Sequence, residues 1–227
     1  MATNPAINPN TPYDPIKDFV HISNVAATPN VIAVHPSVPA NDYTAFVDTL
    51  QKNPGKSSYG SAGNGSVGHM LAELYKSMAK VFVTHIPYRG SGPALNDVVA
   101  GQLPIIVDNL PSALPFIKDK RLIPIVAAAP KRLAHLPDVP TFAEVGLASV
   151  DRMSFLGVSA PKGTPKEVVD KLNAAVKAAV ADASVKERIE ATGAIVVGNA
   201  AEDYQKQVSD ELRIYKRVVF EQKLKLE

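Results

Sequence analysis

The sequence predicts an α/β fold. Short apolar runs alternate with stretches of helical period, proline and glycine fall mostly between these segments, and several runs end in polar or glycine-rich turns that open a helix. Alternation at this spacing implies βαβ units, with parallel strands and helices laid over the sheet. The 227 residues suffice for one large domain or two small ones.

Taken in order, residues 1–18 are rich in Pro and Asn and read as an irregular lead-in. Val31-Ile-Ala-Val34, closed by His35-Pro36, reads as a buried strand. Asn41 is the expected cap of a helix that gathers Tyr43, Phe46, Val47 and Leu50 on one face. Ser57-Ser58-Tyr59 reads as a strand, followed by a glycine-rich loop and a helix carrying Met70, Leu71, Leu74 and Met78. Strands are expected at 81–86, 105–107 and 122–127, with helices at 90–100 and 112–120 between them. Residues 131–140, with Pro137 and Pro140, read as a crossing linker. Beyond it comes a strand at 154–159. Thr164-Pro165-Lys166-Glu167 has the form of a capping box with proline at the first helical position. The helix it opens puts Val168, Val169, Leu172, Val176 and Val180 on one stripe. A strand near 194–197 and a last helix seamed by Tyr204, Val208, Leu212, Tyr215 and Val219 complete the chain.

Composition narrows the function classes. Hydrophobic residues make up 46% and charged residues 20%, enough apolar material for a core and against wholesale disorder. Lys plus Arg (24) nearly balances Asp plus Glu (22), so no nucleic-acid or membrane-surface partner is expected. Mean hydropathy is +0.01, and no apolar run approaches the roughly 20 residues of a spanning helix. The absence of cysteine excludes disulfides, thiolate metal sites and cysteine nucleophiles, and is silent on compartment. The first residues lack a basic region followed by an apolar one, so no signal peptide is expected here. Histidines at 21, 35, 69, 85 and 135 form no metal-binding pair, and neither a metal nor a cofactor is expected.

The densest candidate site is Tyr59-Gly-Ser-Ala-Gly-Asn-Gly-Ser-Val-Gly-His69. Its glycines allow close backbone approach, a helix beginning near Ser66 aims free N–H groups at the loop, and Ser61, Asn64 and Ser66 add neutral polar groups. Gly63, Gly65 and the helix start suit a carboxylate; the rival reading is a tight packing turn. His69 is a further candidate for ligand contact. Gly63-x-Gly65-x-x-Gly68 also matches the dinucleotide fingerprint formally, without its acidic partner, and keeps a nucleotide (NADP)-binding enzyme as an alternative. In Pro87-Tyr-Arg-Gly-Ser-Gly92, Arg89 is placed to clamp a carboxylate and Tyr88 to wall a pocket; a structural ion pair is the rival role for Arg89. Asp108 follows the next strand and either accepts from a ligand or caps a helix. In an open parallel sheet these three loops share one edge, which describes a binding site rather than catalysis.

Six segments carry a family resemblance: Tyr13-Asp-Pro-Ile-Lys-Asp-Phe19, Pro29-Asn-Val-Ile-Ala-Val-His-Pro36, Tyr59-Gly-Ser-Ala-Gly-Asn-Gly-Ser66, His85-Ile-Pro-Tyr-Arg-Gly90, Asp108-Asn-Leu-Pro-Ser-Ala-Leu114 and Leu136-Pro-Asp-Val-Pro-Thr141. From about residue 4 onward the chain resembles the substrate-binding proteins of tripartite tricarboxylate transporters, the Bug family. The resemblance implies a type II periplasmic-binding-protein-like fold, a Venus flytrap of two lobes with mainly parallel sheets. It implies periplasmic capture of a small organic carboxylate for membrane transporter subunits, without catalysis. By that resemblance Ser61, Gly63, Asn64, Gly65 and Ser66 form a ligand loop, Tyr88 and Arg89 a pocket wall, and Ser154 and Phe155 lie beside the ligand. Residues 31–127 are expected to form the second lobe, and 1–30 with 128–227 part of the first, with hinges near 28–31 and 127–130. The family's opening strand and loop have no counterpart in these residues. The first lobe is therefore expected to be incomplete, with an open sheet edge that favours a homo-oligomer, or a fragment that only self-associates.

Overall fold

Side-chain alternation decides which face of a sheet each strand residue covers. In a computed structural model, described for residues 1–224, the elements run α1 (Thr3–Ile7), β1 (Phe19–Thr28), β2 (Asn30–Val34), α2 (Tyr43–Lys52), β3 (Ser58–Ser61), α3 (Val67–Ala79), β4 (Thr84–Pro87), α4 (Ser91–Val99), β5 (Ile105–Asn109), α5 (Leu110–Lys118) and β6 (Ile123–Ala128). They continue with β7 (Ser154–Pro161), α6 (Lys166–Ala181), α7 (Ala183–Ala191), β8 (Ile195–Val196) and α8 (Ala201–Glu221). By contact these form two units: Pro29–Ser154, and Met1–Thr28 with the chain from Phe155 onward.

The unit Pro29–Ser154 holds a five-stranded sheet in the order β4-β3-β5-β2-β6. β3 runs parallel to β4 and β5, while β2 is antiparallel to both β5 and β6. All strands but β2 therefore point one way, so this sheet is mainly parallel, as expected, with β2 reversed. Every residue of β2 is buried, as a strand covered on both faces requires. Val31 and Ala33 join Ile106, Ala94, Val98, Leu110 and Leu114 on one face. Ile32 faces Phe46, Leu50, Tyr59 and Tyr75 on the other. Residues 131–140 belong with this unit: Ala127 bridges to Thr141, Leu136 and Val139 enter its core, and Phe142 packs 5.9 Å from Tyr75. The boundary expected at 127 accordingly falls at 154.

In the other unit β1 is central between β7 and β8. Its buried His21, Ser23 and Asn24 find partners in Ser159 and the carbonyl of Pro15, the carbonyl of Asn199, and Gln207. Residues 1–18 are not wholly irregular, since α1 is helical. Two expected caps also differ. Asp42, rather than Asn41, caps α2 by accepting from Ala45 N at 2.8 Å. Thr164 donates back to the Pro161 carbonyl instead of forming a capping box, which makes Pro165 the N-cap of α6.

Candidate binding site at the strand ends of the five-stranded sheet

Because β3, β4, β5 and β6 run one way and β2 the other, the C-terminal ends of four strands and the N-terminal end of β2 share one edge. The three loops singled out in the sequence all leave from it. Two backbone bonds tie the first pair together: Tyr88 N–H to Ser61 O at 3.2 Å, and Gly90 N–H to Ala62 O at 3.1 Å. The loop cannot carry side chains at two points. A Cβ at Gly63, where φ is +126°, would stand 2.7 Å from Tyr88 O, and one at Gly68 would stand 2.3 Å from Val107 O. Two glycines of the formal dinucleotide fingerprint are thus explained by internal packing, Gly63 against the Tyr88 loop after β4 and Gly68 against β5.

Ser66 caps α3, its Oγ accepting from His69 N at 3.2 Å. The N–H groups of Val67 and Gly68, in the first turn, have no partner within the helix by geometry. Asn64 is exposed and Ser66 half-buried at the loop, while Gly65 is buried and turns inward at a φ of +75°. Its N–H donates to His69 Nδ1 at 3.1 Å. Ser61 is fully buried, with its Oγ 2.7 Å from His85 Nε2. The sequence reading offers Ser61 and His69 to a ligand; the structure turns both into the support beneath the loop.

That support is a column of rings. Tyr59 stacks on His85 with centroids 4.8 Å apart, and His85 on His69 at 4.0 Å and 10°. Tyr59 Oη donates to Glu73 Oε1 at 2.8 Å, and Lys76 Nζ lies 2.7 Å from the same oxygen. Burial, with His69 and Lys76 beside it, pushes the His85 pKa down to about 3; burial also lowers His69, opposed by Glu73. Both imidazoles are neutral near pH 7.

At the neighbouring loop Arg89 is exposed and makes no ion pair among the described residues, so the structural role offered for it in the sequence finds no partner there. Tyr88 donates to Asp97 Oδ2 at 2.5 Å; burial first and Asp97 next push its phenol up to about 12. Asp108 is buried, and its Oδ1 accepts from Asn109 N at 2.8 Å. Its Oδ2 has no hydrogen-bond partner of sound geometry, while the nearby Ser91 hydroxyl favours the ionised form and burial raises the pKa. Asp108 caps no helix: Asn109 is the N-cap of α5.

Sequence reasoning missed His85, Asn30 and Asn109 at this edge. Asn30 is fully buried and donates to Arg152 O at 3.0 Å; Asn109 accepts from Ser154 Oγ at 2.7 Å. A polar residue heading the apolar run at 31–34 was the available signal for Asn30. Phe155 belongs to the other unit, where it packs edge-on to Tyr204 at 5.7 Å. Among the described residues no group of three or more His, Asp or Glu could hold a metal ion, and no helix is long and apolar enough to cross a membrane.

The chain is similar to known proteins along most of its length. The chain is 35% identical over 217 residues to the UPF0065 protein in the tcbD-tcbE intergenic region of Pseudomonas sp. (strain P51), a match covering 95% of this chain and 65% of that protein. It thus spans about two thirds of that relative's length. Among solved structures, one described as a periplasmic transporter is 42% identical with a TM-score of 0.91, covering all of this chain and 76% of that one. R. palustris Rpa4515 with adipate is 32% identical at a TM-score of 0.89, covering 97% of this chain and 74% of that one. MatC from Rhodopseudomonas palustris with bound malate is 31% identical at 0.84, covering 96% and 75%. The family model describes a receptor, not an enzyme, and the resemblance carried by the six segments holds. Residues 1–224 match the family described as Tripartite tricarboxylate transporter family receptor, and the chain belongs to that family.

Proposed function

We propose that this chain captures a small organic carboxylate in the periplasm and serves a tripartite tricarboxylate transporter. The observation that carries the reading is the Ser66-capped start of α3, held against the Arg89 loop at the strand ends. First-turn N–H groups and an exposed guanidinium are the donors an anion of modest charge requires. Adipate and malate in related structures support the ligand class. The ligand-contacting groups in this reading are Gly63, Asn64, Ser66, Tyr88 and Arg89, with Asp108 and Ser154 behind them at the same edge. We further propose self-association through β7, which is supported by its exposed Leu156 and Val158 at the margin of its sheet.

Calorimetric titration with adipate, malate and NADP tests the site. Arg89→Ala is expected to weaken adipate binding by about tenfold or more, the scale of a charge-assisted hydrogen bond, with the melting temperature unchanged. Ser66→Ala is expected to weaken binding and also to cost about 1 kcal/mol of stability, because Ser66 is a helix cap. Native affinity in both variants would remove this loop from the site. NADP binding without carboxylate binding would replace the reading altogether.

A further inference from the structure

The two histidines beneath the glycine loop do more than fill space. Gly65 N–H donates to His69 Nδ1, so that nitrogen must carry a lone pair; neutral His69 is then the Nε2–H tautomer, with Nε2 4.0 Å from Glu73 Oε1. His85 Nε2 lies 2.7 Å from Ser61 Oγ, which also accepts from Gly63 N at 3.2 Å. One imidazole therefore holds the inner turn of the loop and the other holds its first residue. The rings are in near-parallel contact, His69 is buried and His85 half-buried, and a charge on either faces the other.

We propose that His69 and His85 are positioning residues that hold the anion loop only in their neutral forms, so that acidification opens the loop and releases the ligand. The inference rests on the loop being the carboxylate site. A proton on His69 Nδ1 would set N–H against N–H at Gly65 and break the bond that folds the loop inward. The surrounding groups do not rescue the cation. From α3, Glu73 faces His69, but it is already engaged by Tyr59 of β3 and by Lys76, whose charge opposes a second cation. β4 contributes His85 itself, and the Asp108 carboxylate of β5 lies by Ser91 of α4. Burial lowers both imidazoles in the closed loop, so opening returns them toward an ordinary value near 6.5 and acid favours the open form.

The test uses variants that keep each hydrogen bond and remove titration. Asn at 69 places its Oδ1 near the position of Nδ1, and Gln at 85 reaches the position of Nε2. Adipate affinity of the native chain is expected to be level from pH 8 to 7, then to fall by about tenfold between pH 6.5 and 5.5, one unit below an ordinary histidine pKa. H69N/H85Q should bind at pH 7.5 as the native chain does and lose most of the acid response; it also controls for titration of adipate itself. His69→Leu should abolish binding at every pH in a protein that still melts cooperatively. A native affinity independent of pH, or an equal acid response in H69N/H85Q, overturns the proposal. Amide exchange at Gly65 without ligand gives an independent reading: protection at pH 7.5 that disappears by pH 5.5 supports the lock, and no protection at pH 7.5 overturns it. Should adipate fail to bind the native chain, the site assignment falls, while Gly65 exchange still decides whether the histidines hold the loop.

Discussion

Gly68 serves the site through the side chain it lacks. Its Cα lets the first turn of α3 come close to Val107 O, where a Cβ would stand at 2.3 Å. Backbone cannot yield as a side-chain tip can, so Gly68→Ala is expected to lower stability by about 2 kcal/mol, as overpacking does, and to lift the Ser66 cap away from the strand ends. Gly92→Ala, with open space around its Cβ position, is the matched control and should change little. Urea midpoints decide it: equal midpoints for the two variants would mean that α3 shifts without cost. The loop itself was legible in the sequence because its glycines stand between a strand and a helix, where backbone can approach its neighbours closely. The directions of its residues were not. Ser61 and His69 sit in the same motif as Ser66, and nothing in the string says that β3 turns Ser61 inward or that Gly65 folds back onto His69.

Elements were legible where their side chains repeat and where both partners are near in sequence. α3, α4, β5 and α8 fall close to the expected positions for that reason. β1 escaped notice because FVHISNVAAT has no clean alternation: its buried His21, Ser23 and Asn24 are satisfied by groups far along the chain. α7 escaped because it buries no residue and so shows no apolar stripe. Choosing between adjacent cap residues is equally beyond a string, since both Asn41 and Asp42 are good caps. The structure makes the choice testable. Asp42→Ala is expected to cost about 1 kcal/mol, the worth of a lost N-cap, and Asn41→Ala no more than a few tenths. Thermal melts of the pair that coincide would show that the Ala45 bond contributes nothing.

For the whole molecule, the α/β class was legible and the place of residues 131–140 was not, because Leu136 and Val139 lie beside prolines and read as linker until their partners are known. β7 illustrates the opposite case, an exposure that the sequence implies. Its eight residues carry no charge, proline comes only at its last position, and Leu156 is 58% exposed, whereas sheet margins are usually blunted by charge. Sedimentation velocity at rising concentration is expected to show a faster species for the native chain and none for Leu156→Lys; a native chain that stays monomeric throughout would dismiss β7 as a contact. The reversed strand β2 has a consequence in time. Asn30 pairs with Asn109 on one side and Ala128 on the other. At about 5–20 residues per second on a ribosome, the first of those partners is synthesised roughly 4–16 s after Asn30 itself. Throughout that interval the apolar run Val31-Ile-Ala-Val34 has no partner strand of its sheet beside it. This inner strand of the finished sheet is thus a segment the nascent chain must shelter, and one a holding chaperone would be well placed to bind.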